Sequence, residues 1–167
     1  MECLPPGKLM QILVARQDTI EHLEVFVNAG LMQDVGHAPQ DLLLDSLRGL
    51  TALKTLETYE YHLLPFDVLE EERIESETHL VDMIPANVKT LVIEQAHDFL
   101  AEELLTLLSA SSNEKDKNER LPHRLYPSLS TLTVDLWDNT ESTKAKWRVV
   151  QSEFQDRGIA FSCIPQL

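Results

Sequence analysis

The chain predicts an α/β solenoid of about five helix–strand units, with one parallel sheet and the helices on one of its faces. The first observation behind this is a recurring step. The stretch Leu125 to Trp137, LYPSLSTLTVDLW, places Leu129, Leu132 and Val134 in a Leu-x-x-Leu-x-aliphatic pattern. The pattern returns loosely as Ile20, Leu23, Val25, as Leu53, Leu56, Thr58 and as Val88, Leu91, Ile93. The second is order along the chain, because strands that alternate with helices pair in parallel through right-handed crossovers. The third is the strand pattern itself. TLETYE and TLTVDLW alternate polar with apolar residues, whereas strands covered by helices on both faces read as continuous apolar runs.

Taken in order, Lys8 to Arg16 carries Leu9, Ile12, Leu13 and Arg16 at helical spacing and predicts a short helix. Ile20 to Val27 predicts the first strand, with Leu23, Val25 and Val27 inward and His22, Glu24 and Phe26 outward. After a polar loop around Gly36 to Pro39, Asp41 caps a helix DLLLDSLRG that turns Leu43, Leu44 and Leu47 inward and stops at a left-handed Gly49. The second strand runs from Leu53 to Tyr61, with Leu56 and Thr58 on one face and Thr55, Glu57, Tyr59 and Tyr61 on the other. Leu64 to His79, with the acidic run Glu70 to Glu72, has no clear period and reads as an irregular or short-helical connection.

Leu80 to Ile84 predicts a helical turn ended by Pro85, and Val88 to Glu94 the third strand. Asp98 caps a helix whose buried stripe is Leu100, Leu104, Leu107 and Leu108, with Glu102 and Glu103 favouring its N-terminal dipole. Residues 109–124 hold almost nothing apolar up to Arg120 and predict a mobile surface loop. The fourth strand spans Leu129 to Leu136, and Asp138 with Glu141 forms a capping box for a helix reaching about Arg157. Trp147, Val150 and Phe154 line that helix, Gly158 ends it, and Ile159 to Ile164 supplies a fifth strand. Residues 1–167 then form a single domain, a length suited to one continuous core.

Stacking the copies in register yields an outward face in three columns. They are His22, Thr55, Thr90, Thr131, then Glu24, Glu57, Val92, Thr133, then Phe26, Tyr59, Glu94, Asp135. Tyr61 and Trp137 extend its aromatic set. An aromatic ring outside the core gains nothing from it and can anchor a partner, so these fourteen positions are the candidate binding residues.

Composition narrows the function classes. The chain has 43% apolar and 25% charged residues, with no apolar run of the roughly 18 residues that a membrane helix needs. No membrane association is expected. Its formal charge of -14 and lack of a basic stripe exclude nucleic acid and make a basic protein the natural electrostatic partner. Two cysteines at opposite ends, no Asn-x-Ser/Thr acceptor and no basic leader favour an intracellular setting, cytoplasmic or nuclear. The histidines His22, His37, His62, His79, His97 and His123 show no metal-ligand spacing, so no metal is expected. The five glycines are too scattered to cradle phosphate, and no cofactor is expected. His97 with Asp98 and His79 with Asp82 could each orient an imidazole, but a helix cap and a surface turn explain them more simply. Cys163 reads as a small inward residue of the last strand rather than a nucleophile. No catalytic residue is assigned.

The residues that carry a family resemblance are DTIEHLEVF at Asp18 to Phe26, LTALKTLETYEY at Leu50 to Tyr61, LVDMIPANVKTLVIEQ at Leu80 to Gln95, LYPSLSTLTVDL, and the ending FQDRGIAFSC. With these the chain resembles the leucine-rich-repeat part of F-box and leucine-rich-repeat proteins, the fungal kind in particular. LPPGKLMQIL also resembles the opening of an F-box, but about ten residues separate it from the first strand, too few for a complete one. Leu23, Leu56, Leu91 and Leu132 are spaced 33, 35 and 41 residues apart, longer than the usual roughly 20 to 29. The asparagine that follows the strand in tighter repeats is missing. The resemblance implies a non-enzymatic protein-interaction module, with substrate recognition in an F-box-type ubiquitin-ligase adaptor as its role. The alternative is a small α/β enzyme, hydrolase or nucleotide-binding, with a pocket at the strand ends. A piece of a longer protein is a third expectation, since nothing polar caps the first repeat.

Overall fold

Apolar residues at every second position turn five short segments into strands that each hide one side. The computed structural model describes residues 6–26, 44, 46–67, 72–73, 78–110, 126, 128–138 and 140–165. Along the chain, α1 (Pro6–Ala15) leads to β1 (His22–Val25), and a 3₁₀ turn at Leu47–Gly49 leads to β2 (Thr55–Tyr59). A second 3₁₀ turn, Glu60–His62, precedes the short pair β3 (Phe66–Asp67) and β4 (Glu72–Arg73). Then follow α2 (Leu80–Met83), β5 (Thr90–Ala96), α3 (Asp98–Ala110), β6 (Thr131–Leu136), α4 (Glu141–Asp156) and β7 (Ala160–Ile164).

The protein is an α/β fold around a five-stranded sheet of order β1-β2-β5-β6-β7, in which every neighbouring pair is parallel. Strand order therefore follows chain order. The register brings like residues together, with Leu23 beside Leu56, Leu91, Leu132 and Phe161, and Val25 beside Thr58, Ile93, Val134 and Cys163. Both rows are buried, and in the same hydrophobic cluster lie Leu13 of α1, Leu80 of α2, Leu104 of α3 and Trp147 and Phe154 of α4. Thr58 is the polar member of these rows. Its hydroxyl donates to the Val25 carbonyl at 3.4 Å, which removes the cost of burying it.

A backbone device repeats with the strands. The residue before β1, β2 and β5 offers a carbonyl to two amides at the start of the next strand in the sheet: Glu21 accepts from Lys54 and Thr55, Lys54 from Lys89 and Thr90, and Lys89 from Ser130 and Thr131. Asn87 adds a side-chain amide that donates to the Leu53 carbonyl. Tyr126 pins the chain ahead of β6 onto α2, its hydroxyl lying 3.0 Å from the Val81 carbonyl and 3.2 Å from that of Ile84. Burial pushes this phenol up to about 12, so it stays a donor.

Several element boundaries differ from expectation. In α1 the inward residues are Met10 and Leu13, with Leu9 partly buried against the core, while Ile12 of the expected stripe is 49% exposed. Of DLLLDSLRG only Leu47–Gly49 is helical among the described residues, as a 3₁₀ turn with the Ser46 hydroxyl accepting from the Arg48 amide. Gly49 lies inside that turn and is not left-handed; Gly158 is, at φ 75. Asp98 is the first residue of α3 rather than its cap, and Thr140, not Asp138, caps α4 by accepting from the Thr143 amide. The connection after β2 contains the antiparallel β3–β4 pair. Residues 36–39, Asp41, Leu43, Val27, Glu70 and Glu71 lie outside the described residues, as do residues 111–124 of the expected loop, whose first two residues end α3.

Leu132→Ala should cost about 2–5 kcal/mol in denaturant unfolding, since the side chain is wholly buried in the central row; an unchanged midpoint would contradict that placement. At Gly158 an added Cβ would meet nothing within 4 Å. Gly158→Ala should therefore lose only the left-handed backbone preference, about 1–2 kcal/mol, and a neutral substitution would count against the turn geometry.

Candidate functional site

The outward side chains of the strands form a face that the described residues leave uncovered. His22 and Glu24 of β1 are exposed, and Thr55, Glu57 and Tyr59 of β2, Thr90, Val92 and Glu94 of β5, and Thr131, Thr133 and Asp135 of β6 are partly exposed. The columns hold as expected at their first two levels: His22, Thr55, Thr90 and Thr131 are in register, as are Glu24, Glu57, Val92 and Thr133. β7 continues them with Ala160 and Ser162.

The third level departs from a straight column. Tyr59 lies opposite Glu94, but the register with β6 shifts between Ile93 and Ala96, where Gln95 adopts φ 54. Two residues, Glu94 and Gln95, thus oppose the one residue Asp135, a bulge that lets Ala96 return to the buried side. The apolar spacing carries the signal, because Leu91, Ile93 and Ala96 break the period of two.

Aromatic residues gather at this C-terminal rim of the sheet. Phe26, 45% exposed, meets Tyr59 edge-on with ring centroids 5.4 Å apart. Tyr59 stacks on Tyr61 at 5.1 Å. Tyr61 itself was expected on the open face, yet β2 ends at Tyr59 and the following 3₁₀ turn leaves Tyr61 only 6% exposed. It backs the site rather than presenting itself. Trp137, 53% exposed, stacks on the His97 ring at 5.7 Å, across the rim on the β5–β6 side.

The charge on the face has one sign. Glu24 is directly beside Glu57 in register, so two like side chains face each other across β1 and β2. Burial, with Glu57 and then Asp135 close by, raises the Glu94 carboxyl above its usual range. Tyr59 is raised by burial and by Glu94. On the inward side, burial pushes the Cys163 thiol up to about 11, which favours the protonated thiol at neutral pH.

The two histidines that sequence reasoning paired with neighbouring aspartates have other partners. The His97 amide and ring Nδ1 both lie against Glu60 Oε2, at 2.9 and 2.7 Å, and Glu60 is 1% exposed. His79 Nδ1 lies 3.2 Å from Glu103 Oε1, while Glu103 Oε2 accepts from the Leu80 amide at 3.1 Å. In both cases a buried glutamate from another element accepts a backbone amide at a helix start and lies beside the histidine ring. Glu103 was expected to favour its own helix; it serves α2 instead. No local signal reveals these pairs, whose members lie 37 and 24 residues apart. Among the described residues no group of three His, Cys, Asp or Glu side chains is placed to hold a metal ion, and no helix is long and apolar enough to cross a membrane.

Comparison of the chain with family models, with curated proteins and with solved structures finds no match. Fold and face define a class on their own: an α/β protein whose single five-stranded parallel sheet is buried on one side and, among the described residues, partly open on the other.

The raised Glu94 carboxyl has a consequence for stability. The folded chain holds this proton more tightly than the unfolded chain, so its contribution is fully present below about 4.5 and is lost as pH rises through the folded value. Glu94→Gln should stabilise the fold at neutral pH by about 0.2–0.5 kcal/mol after solvent screening, seen as a higher melting temperature. The gain should vanish as pH falls toward 4.5; a gap between the two proteins that is constant from pH 4 to 8 would contradict the assigned cause.

Proposed function

We propose that the protein is a non-enzymatic protein-interaction module, a leucine-rich-repeat-like solenoid that binds a partner across the open face of its sheet. The observation that carries this reading is the asymmetry of the strands. Their inward rows are buried throughout, while the outward rows are polar, in register and partly exposed, with Phe26 and Trp137 left in solvent beside them. Large apolar rings held outside a core are the usual anchors of protein interfaces. Strand order that follows chain order, and the carbonyl pattern repeated at Glu21, Lys54 and Lys89, support the solenoid reading. The resemblance to F-box and leucine-rich-repeat proteins extends the proposal to a role, the substrate-recognition part of an F-box-type ubiquitin-ligase adaptor. Glu60 and Glu103 each accept a backbone amide at a helix start, a positioning role for the His97–Glu60 and His79–Glu103 pairs that fits the module reading; the alternative is a small α/β enzyme with a pocket at the strand ends.

A photo-crosslinking amino acid at Thr133, in the middle of the face, should capture a defined partner from cell extract, and the same group at Ser152, on the exposed side of α4, should not. Tyr59→Ala should lower the yield from Thr133 at least about fivefold, as loss of an interface anchor does. Equal capture from Ser152 would overturn the assignment of the sheet face.

A further inference from the structure

The geometry points to the chemistry of the partner: an extended segment carrying arginine or lysine at alternate positions, laid across the C-terminal half of the open face. This rests on the interaction-module reading above and names what its face takes.

Charge complementarity is the first argument. Glu24, Glu57, Glu94 and Asp135 form an oblique track across β1, β2, β5 and β6, and no lysine or arginine occupies a described outward strand position. Lys54 and Lys89 stand one residue before β2 and β5, at the opposite end of the sheet, and Lys54 is engaged by Glu21 at 2.6 Å. The basic segment is thereby confined to the C-terminal half.

Ring placement is the second, independent of the first. Tyr59, partly exposed, sits directly opposite Glu94; Phe26 meets its ring edge-on and Tyr61 stacks on it. A guanidinium or ammonium group above Tyr59 meets a ring face and a carboxylate together, the combination that distinguishes a cation from a neutral apolar side chain. Dimensions agree. Three strand steps from β1 to β6 at about 4.8 Å span roughly 15 Å, while side chains on one side of an extended segment recur about every 6.7 Å. Two or three basic residues at alternate positions match the track.

The third argument is that the acids disfavour the free fold. Glu24 and Glu57 are like charges in register, and Glu94 is crowded by Glu57 and Asp135. A cationic segment relieves that repulsion, so binding gains what folding lacks.

The test uses fluorescence anisotropy with a labelled peptide of about seven residues alternating serine and arginine, and a counterpart in which glutamate replaces arginine. The arginine peptide should bind and the glutamate peptide should not. Glu94→Gln and Tyr59→Ala should each weaken binding about tenfold. Glu153→Gln, which removes the same charge from the exposed side of α4, should change it less than about twofold. Glu94→Gln should weaken binding while leaving the protein at least as stable, which separates a lost contact from a lost fold. Absence of binding, or an equal loss in Glu153→Gln, overturns the inference. Crosslinking from Thr133 to a partner segment without basic residues overturns it too and leaves the module reading intact; failure of both peptide binding and crosslinking overturns both.

Discussion

The structure depends on stacking like residues in register along a parallel sheet. Leu23, Leu56, Leu91, Leu132 and Phe161 form one continuous inward row, and Val25, Thr58, Ile93, Val134 and Cys163 the next. A slip of one residue at β2 or β6 would turn its leucine outward and a glutamate or threonine inward, so register and sidedness are a single constraint. The paired amides that converge on the carbonyls of Glu21, Lys54 and Lys89 hold the same register at the strand starts. Helices of different length, from the four residues of α2 to the sixteen of α4, are accommodated because each needs only to cover its part of the inward rows.

Sidedness in turn permits the chemistry of the outer face. Carboxylates at Glu24, Glu57, Glu94 and Asp135 are tolerated because solvent reaches them; the same residues in a sheet covered on both faces would need partners. The bulge at Gln95 adds to this by turning Glu94 toward the rim while returning Ala96 to the core. The outcome is a surface that combines rings and negative charge at the strand ends, where side chains from consecutive units converge.

The two contacts between a histidine and a buried glutamate belong to the frame that holds this surface. Glu60 leaves the end of β2 and receives the start of α3, so the turn after one strand is tied to the helix after the next. Glu103 receives the start of α2 in the same manner. Such contacts place a carboxylate beside an imidazole, as a proton-transfer site does, but here both glutamates also take a backbone amide at a helix start, and positioning explains them.

The sequence by itself determined the parallel α/β class, the two inward rows, the first two outward columns and the helix faces of α3 and α4. All of these follow from local periodicity, in which a period of two or 3.6 marks the buried side. The repeat of Leu132 and Val134 against Leu91 and Ile93 was enough to align strands 41 residues apart. Only the tertiary structure decided where strands stop, that Tyr61 turns inward, that Thr140 rather than Asp138 caps α4, and that Glu60 and Glu103 meet His97 and His79. These depend on contacts between distant segments, and such contacts leave no period in the chain: a glutamate reads the same whether water or another element's helix start receives its charge.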